Sequence, residues 1–153
     1  MKTSFSRFVP LLLAGSLSLV LAGCSDSGSS VKGQVKIDGA PIGAKAKVEF
    51  EPADPKSKLP AAVVWTKDDG TFEHAPPKGA FALKPGKYNV FISRIVDKDG
   101  NVPSEDDPRY MEGSGASLKN QVAARFSDRS KPEITVDIKD GTNELPPFEV
   151  RSK

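Results

Sequence analysis

The sequence is poor in the residues that carry most covalent and metal chemistry. Its 153 residues include one cysteine, Cys24, one histidine, His74, and one tryptophan, Trp65. A single cysteine excludes a disulfide scaffold. With one histidine, no Ser-His-Asp set stands in a distinctive local motif, and no glycine-rich phosphate loop runs from a strand into a helix. No segment carries a helical apolar stripe, which excludes a helical bundle or a coiled coil. No long series of apolar runs is present, so the chain is not a polytopic membrane protein. An excess of one charge is also missing. The formal charge of +2 comes from Lys2 and Arg7, and beyond residue 23 there are 20 basic and 20 acidic residues. That balance argues against a nucleic-acid binder, which needs a basic face. Glycine and proline, in contrast, are plentiful. They make up 23 of the 130 residues from Cys24 to Lys153, against an ordinary share of about 12%. Many short strands joined by turns fit that composition, and 130 residues suffice for one domain.

The first residues read as an export signal. Lys2 and Arg7 precede an apolar run from Phe8 to Leu21, and small residues close it. Pro10, Gly15, Ser16 and Ser18 interrupt the run. It also falls short of the ~20 predominantly apolar residues of a spanning helix, which weighs against a retained transmembrane anchor. Its end, Leu21-Ala22-Gly23-Cys24, resembles a bacterial lipobox. In that family a diacylglyceryl group is joined to the cysteine thiol, a peptidase cuts before the cysteine, and the new amino group is usually acylated. The resemblance implies residues 1–23 as a lipoprotein signal peptide, Cys24 as the lipidation site, and an exported protein anchored in the cell envelope. Ordinary secretion with a free thiol is the competing reading. Residues 24–30 then form the lipidated cysteine and a polar tether, Ser25-Asp26-Ser27-Gly28-Ser29-Ser30.

From residue 31 onward the period is two. Val31, Gly33, Val35 and Ile37 point one way; Ala46, Val48 and Phe50 alternate with Lys47, Glu49 and Glu51. Strands follow at 61–66, 71–74, 86–96, 134–139 and 148–150, and Asp38-Gly39, Asp69-Gly70 and Asp140-Gly141 mark turns. Residues 97–121 are irregular, with a turn or two of helix expected at 116–124, and a loop of this length is usually functional or disordered. The expected fold is all-β: a single antiparallel Greek-key β-sandwich of about seven strands over residues 31–153. Gly33 is expected to make room for a large side chain, Trp65 or Phe50. Tyr88 is expected to bury its ring and find a backbone partner for its hydroxyl.

Val31-x-Gly33-x-Val35, Asp38-Gly39-x-Pro41, Val48-x-Phe50-x-Pro52, Thr66-x-x-Asp69-Gly70-x-Phe72 and Pro85-Gly86-x-Tyr88-x-Val90 occur in that order. Arg125-Phe126-Ser127-Asp128, Ile134-Thr135-Val136 and Gly141-x-Asn143 continue the series. Together they resemble the carboxypeptidase regulatory-like, transthyretin-like sandwich. More narrowly, the chain is similar to small lipoproteins of planctomycete-type bacteria, which share a lipobox, a short tether and this one domain. Ala123, where that group often has proline, and the length of the 97–121 loop depart from the pattern. The resemblance implies a non-catalytic domain; fold alone does not name a function.

Candidate sites are few. His74 is expected at the surface or a strand edge, and no enzyme activity is expected. Asp97, Asp99 and Asn101 offer oxygen at the alternate spacing of a calcium loop. Gly100 stands at the fourth place rather than the sixth, and Pro108 replaces the twelfth-position acid. A polar turn is the simpler reading, so no metal and no cofactor beyond the lipid on Cys24 is expected. An isopeptide bond between Lys36 and Asn143 would need both side chains in the core, yet alternation turns Lys36 outward. Trp65, Phe81, Phe91, Tyr110 and Phe126 are large apolar residues not obviously on a core face, with Tyr110 the leading exposed one. The expected partners are the membrane and an envelope protein or glycan. A structural or protein-docking module using loop 97–121 or a strand edge is one reading; a carbohydrate- or small-ligand-binding lipoprotein, with calcium as an optional aid, is the other. An exposed aromatic platform favours the second, and a flat acidic loop the first.

Overall fold

The computed structural model describes residues 28–75, 82–104, 106–110 and 117–153. The signal segment 1–23, Cys24, tether residues 25–27 and Phe81 lie outside the described residues. Strands form at β1 (Ser30–Ile37), β2 (Ala40–Pro41), β3 (Lys47–Pro52), β4 (Ala62–Trp65), β5 (Thr71–His74) and β6 (Gly86–Ser93). They continue as β7 (Ile95–Asp97), β8 (Leu118–Asn120), β9 (Ile134–Ile138), β10 (Thr142–Glu144) and β11 (Phe148–Val150). The expected all-β sandwich is present. One sheet runs β4-β3-β6-β9 and is antiparallel throughout. The other is built around β1, and β7 and β8 make a separate two-stranded ribbon.

β1 is flanked by two broken neighbours. On one side β5 pairs antiparallel with Val31–Gln34, and β2 with Lys36–Ile37. On the other, β10 and β11 both run parallel to β1, with Ser30 opposite Thr142 and Val35 opposite Phe148. The parallel pairs depart from the purely antiparallel expectation. Their interruption has a simple cause. Leu145 N–H still donates to the Lys32 carbonyl at 2.9 Å, but Pro146 and Pro147 follow and have no N–H to continue the ladder.

The core lies between the two sheets. Val31 and Val35 of β1, Val48 and Phe50 of β3, Phe72 of β5, Tyr88, Val90 and Ile92 of β6, and Phe148 and Val150 of β11 are all buried. Phe72 is its pivot, with ring centroids 6.1 Å from Phe50 and 5.8 Å from Phe148. Gly33 makes room for Phe72, not for Trp65 or Phe50. A Cβ at Gly33 would stand 2.7 Å from the tip of the Phe72 ring, because the register puts these two residues opposite each other. The Tyr88 hydroxyl donates to the Lys84 carbonyl at 3.1 Å, as expected of a buried tyrosine.

Four other details differ from the sequence reading. Phe91 and Phe126 are buried. The guanidinium of Arg129 covers the Phe91 ring at 5.2 Å, and Phe126 packs into the core from a 3-10 turn at Ala124–Ser127. That turn stands where helix was expected slightly earlier, and Leu118–Asn120 is strand instead. The run at 86–96 is broken at Arg94, whose N–H turns away to the Asn120 side chain. Finally, Ser29 is fully buried and its N–H donates to Leu83 at 2.7 Å, so paired backbone begins at Ser29 rather than Val31.

Candidate ligand-binding cleft

β4 reads Ala62-Val63-Val64-Trp65 and alternates strictly. Ala62 and Val64 are buried, while Val63 is 49% and Trp65 56% exposed. An exposed tryptophan beside an exposed valine is unusual unless something covers them in use. Trp65 does not stand alone. Together with Lys45, Lys47, Ser93, Ile95, Val102, Pro103 and Tyr110 it lines a cleft of about 660 Å³. That size and mainly apolar lining suit a small ligand or part of a polymer. Tyr110, another lining residue, is 43% exposed.

The floor is set by β-sheet register. Lys47 of β3 stands between Trp65 of β4 and Ser93 of β6. Buried polar contacts then fix the turn that leads into β3. The Thr66 hydroxyl donates to the Gly43 carbonyl at 2.6 Å and accepts the Ala46 N–H at 2.9 Å. Arg94 braces the same turn from the other side, donating to the Ala44 carbonyl at 3.1 Å and to the Gln121 side chain at 2.6 Å. Lys45 sits in that turn with a φ of 60°, a conformation few residues with a side chain adopt. The amine of Lys47 lies 3.1 Å from Glu49.

The second wall comes from the loop that the sequence marked as irregular. Pro103 is buried and Val102 half-buried, so the loop folds back on the sheet. Asp107 shapes its end. Its two carboxylate oxygens accept from Arg109 Nε and an Nη at 2.9 and 2.6 Å, and its carbonyl accepts the Tyr110 N–H at 3.0 Å. The Arg109 guanidinium holds the Asp107 carboxyl well below the usual range, at about 2. The 3-10 turn Pro108–Tyr110 thereby presents the Tyr110 ring.

Asp97, Asp99 and Asn101 form a turn. One Asp97 carboxylate oxygen accepts the N–H groups of both Asp99 and Asn101 at 2.9 Å, and the Asn101 bond leads the causes that lower its pKa. Asp99 points to Lys98 at 3.6 Å. Among the described residues no three His, Cys, Asp or Glu side chains converge as metal ligands.

Of the other candidates, His74 ends β5, a strand that among the described residues pairs only with β1, at a strand edge as expected; it is half-buried, and burial lowers its pKa. Its Nε2 has no hydrogen-bond partner among the described residues. Lys36 lies 3.6 Å from Glu149, whereas Asn143 stands opposite Val31 at the other end of β1. The Asn143 side-chain amide donates to the carbonyls of Ser30, Lys139 and Gly141. These two residues therefore do not meet, and Asn143 pins the turn before β10. Sequence reasoning named Trp65 and Tyr110 but did not bring them together. Alternation around β4 could have turned Trp65 outward; nothing local could have placed Tyr110 in the same cleft.

No protein-family model matches this chain, and no curated protein matches it. Among solved structures it is similar to a DUF3823 family protein from Parabacteroides merdae, at 20% identity and a TM-score of 0.41, covering 83% of this chain. It is also similar to a 9R-lipoxygenase from Cyanothece PCC8801, at 14% identity and a TM-score of 0.35, covering 98% of this chain. The chain spans about half the length of the first, 48%, and 18% of the second.

Proposed function

We propose that this chain is a lipid-anchored, non-catalytic binding protein of the cell envelope, held by Cys24, whose sandwich takes a saccharide or similar small ligand in the Trp65–Tyr110 cleft. The observation that carries this reading is a pair of exposed aromatic rings, Trp65 and Tyr110, lining one cleft. Flat aromatic faces match the apolar faces of sugar rings, and Lys45, Ser93 and the Tyr110 hydroxyl supply a few polar groups for orientation. Docking of an envelope protein through the same loop is the competing use. A flat acidic loop would favour it, whereas the described residues that line the cleft include two aromatic rings, Trp65 and Tyr110. The resemblance of the N-terminus to a lipobox supports the anchor, and that of the domain to small planctomycete-type lipoproteins supports a non-catalytic role.

The test uses Trp65 itself, since it is the only tryptophan. Titration with a panel of neutral and acidic oligosaccharides is expected to change its emission saturably for at least one of them. Trp65→Ala, followed by calorimetry, is expected to weaken that binding by at least about tenfold, the ratio of one ~1.4 kcal/mol contact. A panel with no binder, or a Trp65→Ala variant that binds as well, counts against the cleft. Cys24→Ala tests the anchor separately: the mature protein is expected to lose its lipid mass and its place in the membrane fraction. An unchanged mass and location would remove the lipobox reading.

A further inference from the structure

We infer that the sandwich is held end-on, with its Ser29 end toward the anchoring bilayer and the cleft at the end turned away, so that the cleft takes saccharide arriving from the remote side and not a lipid of that membrane. This rests on the two readings above, of Cys24 as acylated and of the cleft as a ligand site.

The placement follows from register. The tether enters the fold at Ser29, bonded to Leu83, and at Ser30, whose N–H donates to the Gly141 carbonyl at 3.0 Å. Asn143 fastens Ser30, Lys139 and Gly141 together. That end of the molecule therefore carries residues 83–86 and 138–141. Gly86, the first residue of β6, stands opposite Ile138 there. β6 then runs away from the tether, and its last residue, Ser93, stands opposite Lys47, which stands opposite Trp65. The cleft residues on these three strands, Lys47, Trp65 and Ser93, thus lie at the far end.

Lengths decide how much freedom remains. The eight residues of β6 span about 24 Å at the ordinary strand rise. The five steps from Cys24 to Ser29 reach at most about 18 Å even when fully extended. A leash shorter than the body it holds lets the sandwich tilt. It does not let the sandwich turn over, because the body would then lie between its own attachment point and the bilayer. In the upright or moderately tilted body a lipid headgroup of the same membrane is thus out of reach of Trp65, whereas a wall or surface saccharide is not.

The full-length lipidated protein, reconstituted in phosphatidylcholine vesicles with a nitroxide on the headgroup, tests this. Once Cys24 is acylated, a cysteine introduced by Lys139→Cys is the one free thiol, and it takes a fluorescent label at the exposed turn beside Gly141. The expected result is loss of the label's emission with Trp65 emission unchanged. Quenching of Trp65 as strong as that of the label overturns the orientation. Failure of the protein to sediment with the vesicles removes the anchor, and the orientation with it. The oligosaccharide panel, repeated on the vesicle-bound protein, is expected to shift Trp65 emission as in detergent. If the quenching pattern holds but binding is lost on vesicles, the cleft is not presented outward as inferred.

Discussion

Gly70 illustrates how one residue carries a local fold. Its φ is 74°, and a Cβ there would stand 2.6 Å from the carbonyl oxygen of Val35. Asp69 completes the turn, its carboxylate oxygen accepting the Thr71 N–H at 2.9 Å and the Thr71 hydroxyl at 2.6 Å. Two residues on, Phe72 enters the core. Gly70→Ala is expected to destabilise by more than about 1 kcal/mol, since both backbone conformation and space oppose it. Urea unfolding measures this, and a midpoint equal to that of the unchanged protein would contradict it. This much was legible in the sequence, because Asp-Gly followed by an aromatic is a local signal. Trp65 was only half legible. Period two across Ala62, Val64 and Thr66 points its ring outward, but its large apolar surface argues for the core. Neither residue type nor spacing says that another ring will line the same cleft.

At the scale of elements, the paired segments followed the alternation and the exceptions came from tertiary contacts. Arg94 breaks the run at 86–96 because Asn120, 26 residues away, accepts its N–H. No propensity local to Arg94 foretells that. Phe91 lies on the outer sheet face and is buried because Arg129 covers it, with Glu51 and Glu49 holding the guanidinium at 2.8 and 3.4 Å. The turn into β3 depends on Thr66 alone for two of its internal bonds. Thr66→Val keeps the shape of the side chain but leaves the Gly43 carbonyl and Ala46 N–H without this partner. A cost of about 1–3 kcal/mol is expected for groups buried in this way. The same variant is expected to weaken oligosaccharide binding, since Lys45 and Trp65 flank that turn. Denaturation and calorimetry on one sample separate the two effects; unchanged values in both would show that the turn holds itself.

For the molecule as a whole, the sandwich was legible and its strand pairing was not. Seven alternating runs pointed to two packed sheets. Alternation, however, fixes which face is inward and not which edge meets which, so the parallel neighbours of β1 had no sequence signal. Stability should also depend on pH through His74. Burial lowers its folded pKa from the ordinary 6.5. The unfolded chain therefore takes up a proton first as pH falls. Stability is complete above 6.5 and declines as pH drops from there toward the lower folded value. His74→Gln is expected to flatten this part of the profile in thermal melts between pH 7.5 and pH 5, an interval set by the ordinary range of a histidine, about one unit either side of 6.5. A slope that survives the substitution would assign the effect elsewhere.

The position of β1 has a consequence for timing. The first strand among the described residues finds its parallel neighbours more than a hundred positions later, Ser30 beside Thr142 and Ile37 beside Val150. Until those residues are available, one whole side of β1 has nothing to bond, and the sheet around it stays incomplete. Closure across more than a hundred residues is slow and must wait for nearly the entire chain. If the chain is exported as proposed, threaded through a membrane from its N-terminus, that delay is useful. The part already across has no finished sheet to settle into, and folding completes only when the final strand arrives.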